Sequence, residues 1–173
     1  VYGETPTALR VLIPLEDEEQ WASQWYRCYS NVRGLLCRGD GQQCFRMTDK
    51  ANGNMAGKET KEIEGKELPC PGRDCDFYKA KRCKEVMFLQ FLLPEVPGLG
   101  IWQIDTGSIN SIRHINSCAK LIRGLYGRIA MIPLQLTLEM KEVNNPTDGK
   151  KQKVWVLNLR SDQTLVEVVQ AAA

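Results

Sequence analysis

Histidine is nearly missing from this sequence: His114 stands alone among 173 residues. That scarcity removes whole classes of chemistry. A His-based metallohydrolase cannot collect its ligands, and no Ser/His/Asp set can be built with confidence around one imidazole. A zinc deaminase would need His-x-Glu upstream of its cysteines; "PCPGRDC" is present and His-x-Glu is not. Long apolar runs are also lacking. None approaches the roughly 20 residues that cross a bilayer, so no membrane-spanning helix is expected. The opening "VYGETPTALR" has no basic region followed by an apolar stretch, which argues against a secretory signal. Its first residue is not Met, so the true N-terminus is expected to be processed or to lie further upstream. Net charge is only +2, so a nucleic-acid signal would have to be local. There is no internal repeat and no low-complexity segment.

What is present reads as an ordinary globular protein, 43% hydrophobic and 25% charged. One domain over 1–173 is expected, large enough to bury a core without staples. Seven cysteines are the unusual feature: Cys28, Cys37, Cys44, Cys70, Cys75, Cys83 and Cys118. An odd count at uneven spacing, without an export signal, suits a cytoplasmic protein with bound metal and core thiols better than a disulfide framework.

The pattern along the chain predicts a strand over 8–15, "ALRVLIPL". A helix follows over 16–30, where acidic residues crowd the front and Trp21, Trp25 and Cys28 recur at helical spacing. "LLCRGDGQQCFRM" reads as a hairpin about Gly-Asp-Gly. Residues 48–67 are polar and Gly-rich and read as a loop. "EVMFLQFLLPEVPGLGIWQID" holds two strand-like runs. "TGSINSIRHINSCAKLIRGL" is the clearest helix: Thr106 or Ser108 caps it, Ile109, Ile112, Ile115, Ala119 and Ile122 form its apolar stripe, and Gly124 stops it. Two alternating strands, "RIAMIPLQLTLEMKEV" and "VWVLNLRS", make a hairpin, and "QTLVEVVQAAA" closes as a short helix. This order predicts an α+β fold: a mostly antiparallel sheet, one long amphipathic helix, and a Cys-rich zinc-knuckle insertion at about 37–84.

Within that insertion Cys70, Cys75 and Cys83 fall at C-x4-C-x7-C among Pro, Gly, Arg, Asp and Lys, residues that build no core. Structural Zn2+ wants four thiolate or imidazole ligands in a tetrahedron. Three are supplied here, and Pro71-Gly72 can turn the chain so that sulfurs converge. Cys37 or Cys44, on either side of the Gly-Asp-Gly turn, can be the fourth; His114 is a weak candidate. The competing readings are a local disulfide and reduced core thiols, the latter suiting Cys28 and Cys118 on helix faces. Four thiolates would leave no position for substrate water, so the metal would order a region too poor in apolar residues to order itself.

Other tempting motifs read as structure. Asp40 belongs to a turn dipeptide. "GLGIW" lacks the Lys-Ser/Thr of a phosphate loop. "DTGS" occurs once and sits where a helix cap is needed. No enzyme is expected. Basic residues cluster at Lys79, Lys81, Arg82 and Lys84, beside Phe77 and Tyr78, which could stack on bases. Further groups are Lys150, Lys151 and Lys153, and Arg113, Lys120 and Arg123. Solvated surface is the alternative for all three.

"RGLLCRGDG", "CPGRDC" with Cys83 beyond it, "FLLPEVPGLGIWQIDTGSINSIRHINS", "GRIAMIPLQLTLEMKEV" and "KVWVLNL" resemble, in order and spacing, the recombination directionality factor-like family of temperate phages and integrated elements. The resemblance covers about residues 8–169. It implies a non-enzymatic phage or mobile-element protein that contacts a large serine integrase and favours excision, without reading a DNA sequence itself. It also implies a cysteine set of Cys37, Cys70, Cys75 and Cys83. Cys44 departs from the family pattern and stays open as an alternative fourth ligand. The second functional reading is a zinc-containing nucleic-acid-binding protein, a single-strand binder or a subunit of a nucleoprotein complex. Neither reading calls for a small-molecule substrate or a membrane.

Overall fold

The computed structural model describes residues 2–145, 147–164, 166, 167 and 170. The chain divides into two compact units, one of residues 24–87 and one of residues 1–23 with 88–173. The first holds the whole Cys70–Cys83 cluster. In chain order the elements are β1 (Ala8–Leu12), α1 (Glu18–Trp21), β2 (Ala22–Ser30), β3 (Gly34–Gly39), β4 (Gln43–Asp49), β5 (Ile63–Pro69), α2 (Asp76–Lys79), β6 (Cys83–Leu92), β7 (Ile101–Thr106), α3 (Ile109–Tyr126), β8 (Pro133–Asn144) and β9 (Lys151–Ser161).

The α+β expectation is overturned. The fold is mostly antiparallel β, with nine strands, and α3 is the only helix longer than four residues among those described. The main cause lies in residues 16–30. Only Glu18–Trp21 is helical, capped by Asp17, whose carboxylate accepts from the Glu19 N–H at 3.1 Å. From Ala22 the chain is extended. Trp25, Tyr26 and Tyr29 favour a pleated backbone, and β3 supplies the ladder, with Tyr26 opposite Gly39 and Cys28 opposite Cys37. Three residues at helical spacing do not outweigh that partner.

Residues 48–67 also hold more structure than a loop. β5 pairs with β4 from Gln43↔Pro69 to Asp49↔Ile63. Ile63 and Leu68 are its only large apolar residues, so no period-2 signal announces it. The segment between the two strands is tied down by Arg33. Its Nε donates to the Gly57 carbonyl at 2.8 Å, and a terminal nitrogen to those of Lys58 at 3.3 Å and Thr60 at 2.5 Å. In the unit of residues 24–87 the strand order is β5-β4-β3-β2-β6.

In the other unit the order is β6-β1-β8-β9, with β7 beside β6. β1 runs antiparallel to β8, Ala8↔Thr137 to Leu12↔Pro133. β8 and β9 form the expected hairpin, Leu134↔Ser161 to Asn144↔Lys151. Leu134 and Leu136 are buried, whereas Leu138 and Met140 reach solvent, because the hairpin outruns the core. Helix α3 packs on β9 through Ile112, Ile115, Ala119 and Ile122, all buried as their spacing predicts. Ser108 caps it, accepting from the Ser111 N–H at 3.3 Å. Gly124 does not stop it. The helix runs on to Tyr126, and Gly127 ends it in the left-handed region at φ 70°. The short helix expected over 163–173 falls largely outside the described residues.

Candidate metal centre

β2 and β3 set Cys28 and Cys37 directly across from each other. The Gly39–Gln42 turn then reverses the chain. Asp40 makes that turn: its carboxylate accepts from the Gln42 and Gln43 N–H groups at 2.7 and 2.8 Å, which holds its pKa below the ordinary range. The turn reading of Asp40 therefore stands. β4 returns with Cys44 opposite Gly39, and β5 ends so that the Cys70 N–H donates to the Gln42 carbonyl at 2.7 Å. Gly39 has to be glycine here. A Cβ on it would lie 2.6 Å from Cys70 Sγ and 2.8 Å from Cys44 Cβ.

After Cys70 the chain folds tightly. Gly72 adopts φ 58°, opening a 3-10 turn over Gly72–Asp74, and the Cys75 carbonyl accepts from the Tyr78 and Lys79 N–H groups at 2.9 and 3.0 Å. Lys81 takes φ 59°, an unusual conformation for a side-chain-bearing residue, and swings the chain into β6 at Cys83. Arg73 braces this knuckle, with Nε 2.7 Å and a terminal nitrogen 3.3 Å from the Glu85 carboxylate.

These turns converge on one small cavity of about 10 Å³, room for about one water-sized sphere. Cys28, Cys37, Cys70, Cys75 and Cys83 line it, with Tyr26, Arg46, Met55 and Phe77. Cys44 belongs to the same buried cluster but is not among the lining residues. Its Sγ lies 3.8 Å from the Pro69 carbonyl and 4.0 Å from an Arg46 nitrogen. All seven cysteines are free thiols. Among the described residues no three His, Cys, Asp or Glu side chains stand, in this arrangement, as a group that could hold a metal ion. The donor chemistry nevertheless fits zinc: soft sulfur ligands, more than four of them, around a space of ionic size.

Burial governs the electrostatics. It pushes the Cys28 thiol up, opposed by Arg82. It pushes Cys44 up to about 11, with Cys37 adding to the effect, and Cys83 up to about 12, reinforced by Cys28, Cys37, Cys75 and Cys70. A metal would have to displace protons from such thiols. Two guanidinium groups offset the thiolate charge that would result. Arg46 and Arg82 face the Phe77 ring at 5.1 and 5.3 Å from its centroid.

The nucleic-acid candidates divide. Lys79, Lys81, Arg82 and Lys84 are exposed, and Lys79 stands 3.9 Å from Asp74. Phe77 and Tyr78 are partly buried against the cysteine cluster. The Tyr78 ring meets Tyr26 edge-on at 5.7 Å, and its hydroxyl donates to Glu85 at 3.5 Å. Neither ring is presented as a stacking platform. His114 and Cys118 belong to the other unit, where His114 Nε2 lies 3.3 Å from Lys141 Nζ. Sequence reasoning missed Cys28, Arg46 and Met55. Only a strand reading of 22–30, pairing Cys28 with Cys37, would have found the first.

Comparison with known families gives a match. The model of the Gp3-like, recombination directionality factor-like family covers residues 1–162. No curated protein matches the chain, and no solved structure does.

Proposed function

The chain belongs to the Gp3-like, recombination directionality factor-like family, and from that premise we propose that it binds a large serine integrase and biases it towards excision. The family match over residues 1–162 carries this reading. The role is non-enzymatic. Large apolar side chains left in solvent support a binding protein: Leu99 is 96% exposed between two glycines, with Ile101 and Trp102 just beyond it, and Met140 faces Trp155 across the β8–β9 hairpin. Structural zinc, held by Cys70, Cys75, Cys83 and Cys37, is the second part of the reading, supported by the convergence of these thiols on one cavity. A closed thiolate site supplies cross-linking of the surrounding chain and no catalytic water. Direct nucleic-acid binding through 77–84 is the weaker reading, since Phe77 and Tyr78 are spent on packing.

The test is co-elution of the purified chain with the serine integrase of the same mobile element, followed by recombination of the two hybrid junction sites. A complex that enables excision is expected. Absence of a complex with every such integrase overturns the proposal. Tight, salt-sensitive oligonucleotide binding by the isolated chain would move the assignment to a nucleic-acid module.

A further inference from the structure

We propose that Cys28 is a reserve ligand of the thiol centre, able to take the place of Cys37. The inference rests on the zinc reading above. Zinc in a structural site takes four ligands, and five thiols line the cavity. One is therefore surplus, and the strand register identifies which pair shares a position. Cys28 and Cys37 are direct cross-strand partners in β2 and β3. In a regular ladder residues so placed carry Cβ atoms about 4.5–5.5 Å apart, and although the register shifts just after Cys28, a rotamer change lets either thiol reach toward one common position. Cys70 and Cys75 lie outside the strands, and Cys83 is the first residue of β6.

The surroundings of Cys28 fit a donor held in readiness. It is 1% exposed, so no outside thiol or water competes for its place. Its Sγ rests 3.7 Å from the Met55 Sδ, a thioether that accepts only weakly. Little is lost when the thiol turns to an ion. Cys44 cannot serve in the same way. Its Sγ faces the Pro69 carbonyl, and it is not among the residues lining the cavity.

The experiment uses the full chain as parent, Cys28→Ser, Cys37→Ser and the double variant, each loaded with zinc for metal content and with cobalt(II) for absorption. The sulfur-to-cobalt charge-transfer intensity counts thiolate ligands. The parent and both single variants are expected to hold one metal per chain with the same four-thiolate intensity. Their zinc affinities should lie within about tenfold of one another, because each keeps a complete first shell. The double variant should fall to three-thiolate intensity or lose the metal. A Cys37→Ser chain that fails to fold, loses the metal, or shows only three thiolates overturns the proposal. So does loss of metal from Cys28→Ser, which would make Cys28 an obligatory ligand. A parent that takes up no zinc overturns the zinc reading itself, and that result is distinct from either variant's failure.

Discussion

At the scale of single residues, the tightest constraint is Gly39. The space a methyl group would need there is filled by Cys70 Sγ, Cys44 Cβ and the Gln43 carbonyl, at 2.6, 2.8 and 3.0 Å. One of these contacts is backbone and cannot swing aside. Gly39→Ala should therefore cost about 1–3 kcal/mol, as overpacking typically does, and a lowered urea midpoint at unchanged slope would record it. Asp40 gives a pH-dependent prediction. Its folded pKa is depressed by two backbone N–H donors. Its contribution is therefore present above its unfolded value near 3.8 and is lost as pH falls through the lower folded value. Asp40→Ala should be less stable than the parent at pH 7, and the gap should close below that range. A gap that does not narrow as pH falls below the unfolded value would show that the turn does not depend on the carboxylate.

At the scale of elements, legibility followed partner and period. Helix α3 was readable because its stripe of Ile112, Ile115, Ala119 and Ile122 meets one face of a neighbour, and its cap is local in sequence. The β3–β4 and β8–β9 hairpins were readable from turn residues and alternation. β2 was not, since its identity comes from β3 and its apolar residues imitate a helical repeat. β5 was not, since it has almost no apolar residues to alternate. The candidate site shared this fate. Cys70, Cys75 and Cys83 stand out in the sequence by their polar surroundings, Cys37 and Cys44 stay open as the fourth partner, and Cys28 was hidden by the same misread strand. Two predictions belong here. Ser108→Ala removes the α3 cap and should lower stability by about 0.5–2 kcal/mol in thermal unfolding. Arg33→Ala frees three carbonyls of residues 57–60. It should raise amide exchange across 50–62 while leaving α3 unchanged.

At the scale of the whole molecule, the two units differ in what holds them. The unit of residues 1–23 and 88–173 has an aliphatic core in which Val11, Ile115, Leu134 and Leu159 are fully buried. The buried interior of residues 24–87 is rich in cysteine. Chelation should therefore act unequally if zinc is bound. Hydrogen exchange measured with and without a strong chelator should quicken in β3, β4 and the 70–83 knuckle, and should hardly change in β8 and β9. Equal protection in both states would mean that the thiols pack without metal. No helix among the described residues is long and apolar enough to cross a membrane.

The interruption of one unit by the other sets an order of assembly during synthesis. Residues 24–87 form a continuous stretch, so every strand pairing inside it becomes available once the Cys83 segment leaves the ribosome. β1 emerges earlier still and must wait. Its partners are Leu92 and residues 133–137. Until those residues emerge, the apolar segment "ALRVLIP" is a strand without a sheet. Such separated pairings are slow to close and leave an edge open to wrong partners. The cysteine-bearing unit can thus mature on the nascent chain, while completion of the other is deferred until β8 has been made.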